Sequence, residues 1–130
     1  MSHAPPSQAF AVLVVEDEPM ILWDTIDLIE EAGYVAYGAA NADEAIALLE
    51  TRPDIRVLFT DIDMPGSMDG LKLAAAVFDR WPPVTIIVAS GQVNVTAARL
   101  PNGATFLAKP YRPNSVLEAL RQAGARAPGR

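Results

Sequence analysis

Residues 55–65 read Ile55-Arg56-Val57-Leu58-Phe59-Thr60-Asp61-Ile62-Asp63-Met64-Pro65. The run Val57–Thr60 is apolar and β-branched, with no polar alternation. It therefore predicts a strand buried on both faces, as strands of a parallel sheet are. The strand terminates on an acid, Asp61, and Pro65 soon stops any continuation. Similar runs lie to either side, at Ala11–Val15, Tyr34–Tyr37, Val84–Ser90 and Thr105–Leu107.

Helical patterns fill the intervals. Met20 to Ala32 places Ile21, Leu22, Ile26, Leu28 and Ile29 largely along one side, with Pro19 suited to the first turn and Gly33 following the end. Asn41 to Glu50 opens with Asn41 and Glu44 at capping-box spacing and carries Ile46, Leu48 and Leu49. Leu71 to Trp81 is closed by Pro82 and Pro83, and Pro113 to about Ala123 carries Val116, Leu117 and Leu120. Strands alternating with helices at this spacing predict an α/β domain, a parallel sheet with helices on both faces. The expected layout is a flexible tail over residues 1–9, one domain over 10–124 and a fraying end over 125–130.

A chain of 130 residues with 51% hydrophobic and 20% charged residues can bury a core of its own. It has no cysteine, which excludes disulfides, thiolate nucleophiles and zinc–thiolate sites, and its single histidine, His3, lies in the N-terminal tail, which argues against a histidine relay. The net charge of −6 makes direct binding to nucleic-acid phosphates a poor expectation. No signal peptide or membrane-spanning run is read, so a cytoplasmic location is expected.

In an open α/β sheet the ligand crevice lies beyond the carboxyl ends of the strands, where strand order reverses. The residues that end strands are therefore the informative ones. They are Glu16-Asp17-Glu18 after the first, Asp61 at the third, Ser90-Gly91 at the fourth and Lys109-Pro110 at the fifth. Clustered carboxylates repel one another, and a hard divalent cation that accepts a few carboxylate oxygens relieves the repulsion. Lys109 supplies a mobile positive charge for an anion, Ser90 a hydroxyl donor, and Gly91 lets a backbone N–H approach without a Cβ in the way. A carboxylate that accepts a phosphoryl group needs this kind of neutralisation and alignment.

Five segments in this order resemble the receiver domain of two-component response regulators: Val14–Glu18, Phe59–Pro65, Asp69-Gly70, Ile86–Gly91 and Phe106–Pro110. The resemblance spans roughly residues 11–123. It implies a flavodoxin-like (βα)5 fold, doubly wound, with strand order 2-1-3-4-5. It also implies Asp61 as phosphoacceptor, with Mg²⁺ or Mn²⁺ held by Asp17, Glu16, Asp61 and the backbone carbonyl of Asp63. Ser90, Gly91 and Lys109 would bind the phosphate, Ser90 and Phe106 would act as switch residues, and the Lys109–Pro110 bond would be cis. Asp63 and Gln92 would flank the site. The implied donor is a phosphohistidine on a sensor histidine kinase or a histidine phosphotransfer protein. Output would go to an unidentified partner protein, and the chemistry would be limited to self-phosphorylation and autodephosphorylation.

Two departures from the family pattern stand out. Gly66-Ser67-Met68 makes the loop before Asp69-Gly70 one residue longer than usual. The stretch from Ser90 to Phe106 is short and broken by Pro101, which predicts a shortened or irregular fourth helix and a less covered Phe106. With no effector segment after residue 123, a stand-alone receiver is expected. Three other classes compete. A haloacid-dehalogenase-like phosphatase would use Asp61-Ile62-Asp63 as its Asp-x-Asp, but it wants its acid pair after the lysine. A Toprim-like nucleic-acid enzyme, with a strand-end Glu16 and a later Asp-x-Asp, is opposed by the acidic charge, and a phospho-independent pseudo-receiver by the intact Asp61, Ser90 and Lys109. Trp23, Trp81, Met20, Met64 and Met68 read as packing, surface or loop residues.

Overall fold

Alternate residues of a strand point to opposite faces of its sheet, and here both faces are covered. In the computed structural model, which describes residues 10–62, 70–91 and 103–126, the chain runs β1 (Ala11–Val15), α1 (Pro19–Glu31), β2 (Val35–Ala39), α2 (Ala42–Thr51), β3 (Ile55–Asp61), α3 (Gly70–Arg80), β4 (Thr85–Ser90), β5 (Thr105–Ala108) and α4 (Pro113–Arg126). All strand pairs are parallel and the order is β2-β1-β3-β4-β5, as expected from the sequence.

Leu13, Val15, Leu58, Ile86 and Val88 face one way and pack with Ala45 and Leu49 of α2 and Leu73 and Val77 of α3. Val12, Val14, Val57, Phe59 and Ile87 face the other way, onto Ile26 and Ile29 of α1 and Val116 and Leu120 of α4. Burial on both faces holds for β1, β3 and β4 only. The edge strands β2 and β5 are partly exposed, because each has one sheet neighbour instead of two.

The local signals act largely as the sequence predicts. The Asn41 side chain accepts from the Glu44 N–H at 2.9 Å, and Glu44 reaches back to the Ala40 N–H at 2.8 Å, one residue beyond the usual capping-box partner. Gly33 and Gly103 take positive φ (101° and 84°) where a helix ends and where a turn enters β5. Two expectations need correction. The inward stripe of α1 is Leu22, Thr25, Ile26 and Ile29, whereas Ile21 is 41% and Met20 is 74% exposed, so neither is a packing residue. The last helix does not end near Ala123 but continues through Gly124, where a Cβ would stand 3.3 Å from Phe10 Cζ. Gly124 thus admits the Phe10 ring rather than ending the helix.

The expected irregular fourth helix, the lengthened loop at Gly66-Ser67-Met68 and the N-terminal tail lie outside the described residues, as do Asp63, Met64, Met68 and Gln92.

Candidate functional site

Strand order reverses between β1 and β3: β1 leads to β2 on one side, and β3 carries the sheet the other way. The crevice expected at such a point lies beyond Val15 and Asp61, and Glu16, Asp17 and Asp61 sit there. Glu16 and Asp61 are buried, Asp17 is exposed, and one carboxylate oxygen of each lies within 4.8 Å of the other two. Glu16 is fixed at both ends. Its N–H donates to the Ala39 carbonyl at 3.0 Å, and its Oε2 accepts from the Glu18 N–H at 3.0 Å.

The cationic member comes from the sheet edge. Lys109 Nζ lies 3.0 Å from Asp61 Oδ2, with the lysine side chain 28% and the aspartate 6% exposed. The Lys109 N–H donates to the Ser90 carbonyl at 2.9 Å, so the end of β5 is pinned to the end of β4, and Lys109–Pro110 is cis. Ser90 is 1% exposed. Gly91 follows it, and among the described residues a Cβ there would meet only Lys109 Cβ, at 3.9 Å. Phe106 pairs in register with Val88, two residues before Ser90, and therefore lies on the same sheet face as Ser90. It is 36% exposed, and the segment expected to cover it lies outside the described residues.

The electrostatics follow from burial around like charges. Desolvation, reinforced by the Asp61 charge, raises the Glu16 carboxyl from its ordinary 4.5 to about 7, against the opposing bond from the Glu18 N–H and the Lys109 charge. Burial alone would depress the Lys109 ammonium, but its hydrogen bond to Asp61 and the charges of Asp61 and Glu16 outweigh it and hold the group above its ordinary value. Among the described residues the site is thus a negative pocket with one fixed cation. It can hold a metal ion on oxygen ligands, and it can present a carboxylate beside an ammonium.

Structure also shows roles that residue type alone did not reveal. Gly70 opens α3 directly against the phosphoacceptor candidate: a Cβ there would overlap the Asp61 carbonyl oxygen and lie 2.6 Å from Ile62 Cα. Both contacts are backbone and cannot swing away. Gly70→Ala should therefore move the Asp61–Ile62 chain and destabilise the domain by ~2–3 kcal/mol or more. A chemical melt within ~0.5 kcal/mol of the parent would contradict this.

Glu16, Asp17, Asp61, Ser90, Gly91 and Lys109 are brought to one edge as the sequence predicts. Together with the 2-1-3-4-5 parallel sheet they define an α/β domain with an acidic, lysine-bearing crevice at its switch point. The chain matches the response regulator receiver domain over residues 12–121 and belongs to that family. It is 36% identical over 116 residues to the chemotaxis protein CheY of Thermotoga maritima, covering 85% of this chain and 94% of that one. It is 33% identical over 114 residues to the nitrogen assimilation regulatory protein NtrX of Azorhizobium caulinodans, covering 84% of this chain and 25% of that one. Two further curated relatives are likewise longer, so the chain spans between a quarter and about half of the length of these three.

Among solved structures, the receiver domain of NtrX from Brucella abortus superposes with a TM-score of 0.81 at 28% identity, covering 89% of this chain and 99% of that one. A response regulator receiver protein from Sinorhizobium medicae reaches 0.84 at 23% identity, covering 92% and 97%, and supports the fold alone. Membership in this family displaces the haloacid-dehalogenase and Toprim readings.

Proposed function

We propose that the domain is a phosphorylation-driven signalling switch in which Asp61 accepts a phosphoryl group from a phosphohistidine donor with Mg²⁺, or Mn²⁺, in the acidic pocket. The observation that carries this reading is the placement of a buried Asp61 carboxylate within 4.8 Å of two other carboxylates and 3.0 Å from Lys109 Nζ. The donor would be a sensor histidine kinase or a histidine phosphotransfer protein in the cytoplasm, and the output an altered affinity for another protein.

The donor set fits the metal. Glu16, Asp17 and Asp61 offer only hard carboxylate oxygens, and one exposed acid leaves access from solvent. When bound, the ion would neutralise charge on the acceptor and on the incoming phosphoryl oxygens. Asp61 attacks phosphorus as the bond to the donor imidazole breaks, and the leaving nitrogen keeps the electron pair. Lys109 follows the charge onto the new phosphoryl oxygens. Ser90 and the Gly91 N–H lie at the adjoining strand end, where they can donate to the same oxygens. Ser90 and Phe106 share a sheet face on neighbouring strands, so recruitment of the hydroxyl would open space for the aromatic ring to reorient. Chemistry would stop at acceptance and later hydrolysis of the acyl phosphate, without turnover of an external substrate.

The test is incubation of the protein with acetyl phosphate, followed by intact mass. One phosphoryl adduct is expected, labile in alkali and dependent on divalent metal. A protein that remains unmodified with metal and donor in excess would overturn the reading.

A further inference from the structure

Thr60 places a hydroxyl where the sheet is otherwise apolar. It shares the sheet face of Leu58 and is 0% exposed. In register it stands between Val15 of β1 and Val88 of β4, both fully buried members of the cluster under α2 and α3. Valine has the same branched shape and would bring no polar group to desolvate, so packing alone does not account for the hydroxyl. Its one proton is donated to the Asp61 carbonyl at 3.0 Å.

That carbonyl belongs to the candidate phosphoacceptor, at the point where the sheet gives way. The register of β1 with β3 ends at Val15 and Thr60, whereas that of β4 with β3 runs on to Ala89 and Asp61. The Ile62 N–H donates to the Ala89 carbonyl at 2.9 Å, and the Gly70 N–H donates to the Ile62 carbonyl at 3.2 Å. Gly70 also sits so close to the Asp61 carbonyl that it has no room for a Cβ. The Asp61 carbonyl and the Ile62 N–H are the two ends of one planar peptide unit, so holding both fixes its plane. That plane, with the one before it in β3, sets the direction of the Cα–Cβ bond that carries the carboxylate.

We infer that Thr60 is a positioning residue for Asp61, its hydroxyl locking the peptide that follows the acceptor and so keeping the carboxylate aimed at Lys109 Nζ, 3.0 Å away. The inference rests on the phosphoacceptor reading for its effect on labelling, whereas the aim of the carboxylate can be read from Lys109 without it. Two substitutions separate aiming from packing. Thr60→Val keeps the shape and removes the bond, and Thr60→Ser keeps the bond and removes a buried methyl.

The experiment compares the full chain with these two variants by thermal melts, by labelling with acetyl phosphate and Mg²⁺, and by nitrogen-15 spectra of the lysine ammonium groups. Thr60→Val should melt no more than about 4 °C below the parent. It should nevertheless label about fivefold more slowly, because the freed carboxylate spends less time in the attacking geometry. Thr60→Ser should melt below Thr60→Val and still label at the parent rate. In metal-free protein the Lys109 ammonium should exchange faster with water in Thr60→Val and as in the parent in Thr60→Ser. Labelling that follows the melts, slower in Thr60→Ser than in Thr60→Val, would make Thr60 a packing residue and overturn the inference. Parent-rate labelling, an unchanged Lys109 resonance or a failure to fold in Thr60→Val would overturn it as well. An unlabelled parent would sink the phosphoacceptor reading instead, and the Lys109 resonance would then decide this one alone.

Discussion

Asp61→Asn should reduce phosphoryl labelling to background while leaving the domain folded. The amide is close to isosteric and fits the same end of β3, but it is neutral and offers no nucleophilic carboxylate. Two electrostatic terms of opposite sign then decide stability. Lys109 loses a partner at 3.0 Å, with its own side chain only 28% exposed, and losing a charge-assisted bond of this kind costs ~1–3 kcal/mol. Against that, the Asp61 charge is one of the causes that push Glu16 upward, so its removal relieves repulsion in the pocket. The two offset, and a net change within ~1 kcal/mol is expected in metal-free protein. Intact mass after acetyl phosphate treatment and a urea melt check both halves. A variant labelled like the parent would place the acceptor elsewhere, and a variant that fails to fold would show that Asp61 is structural first.

How much of this was legible beforehand depends on which physical signal each residue carries. The sheet announced itself because strands buried on both faces must be continuous apolar runs, and Ala11–Val15 matches β1 residue for residue. Edge strands carry a weaker signal. Tyr34–Tyr37 was read one residue early at its start and two early at its end, since a half-exposed strand tolerates Gly38 and is bounded by no sharp change. The charged members of the site were legible because carboxylates and an ammonium at strand ends have few structural uses in common.

Gly70 and the buried Thr25 were not legible as such. A glycine at a helix start reads as punctuation until the Asp61 carbonyl is seen against it, and a threonine inside an amphipathic helix reads as polar until its hydroxyl is seen to donate to the Ile21 carbonyl. The buried stripe on α1 is narrower than the apolar pattern predicts for the same reason. Ile21 and Leu28 are apolar, yet they line an open cavity, and one of the two buried positions between Leu22 and Ile29 goes to a hydrogen-bonded threonine.

Without divalent metal, stability should fall as the pH rises from about 4.5 to about 7, the reverse of the usual carboxylate behaviour. In the unfolded chain Glu16 ionises near its ordinary 4.5, and in the folded domain desolvation delays ionisation to about 7. Between those values the folded state holds a proton that the unfolded state has released, so each rise in pH favours unfolding. Below 4.5 both states are protonated and the penalty is absent. Above 7 both are ionised and it is complete, at no more than ~3.5 kcal/mol from ~1.4 kcal/mol per pH unit. Divalent metal should reverse the trend. It favours the ionised carboxyl, so binding releases protons and strengthens as the pH rises. Mg²⁺ at about 100 times its Kd should add ~2.7 kcal/mol, with a larger melting shift at pH 7.5 than at pH 5. Asp17→Asn should shrink that shift, while raising metal-free stability by removing one of three neighbouring charges. Urea melts across this pH range, with and without Mg²⁺, test the whole scheme. A flat metal-free profile would show that Glu16 ionises freely in the fold, and an undiminished Mg²⁺ shift in Asp17→Asn would place the ion outside the Glu16–Asp17–Asp61 pocket.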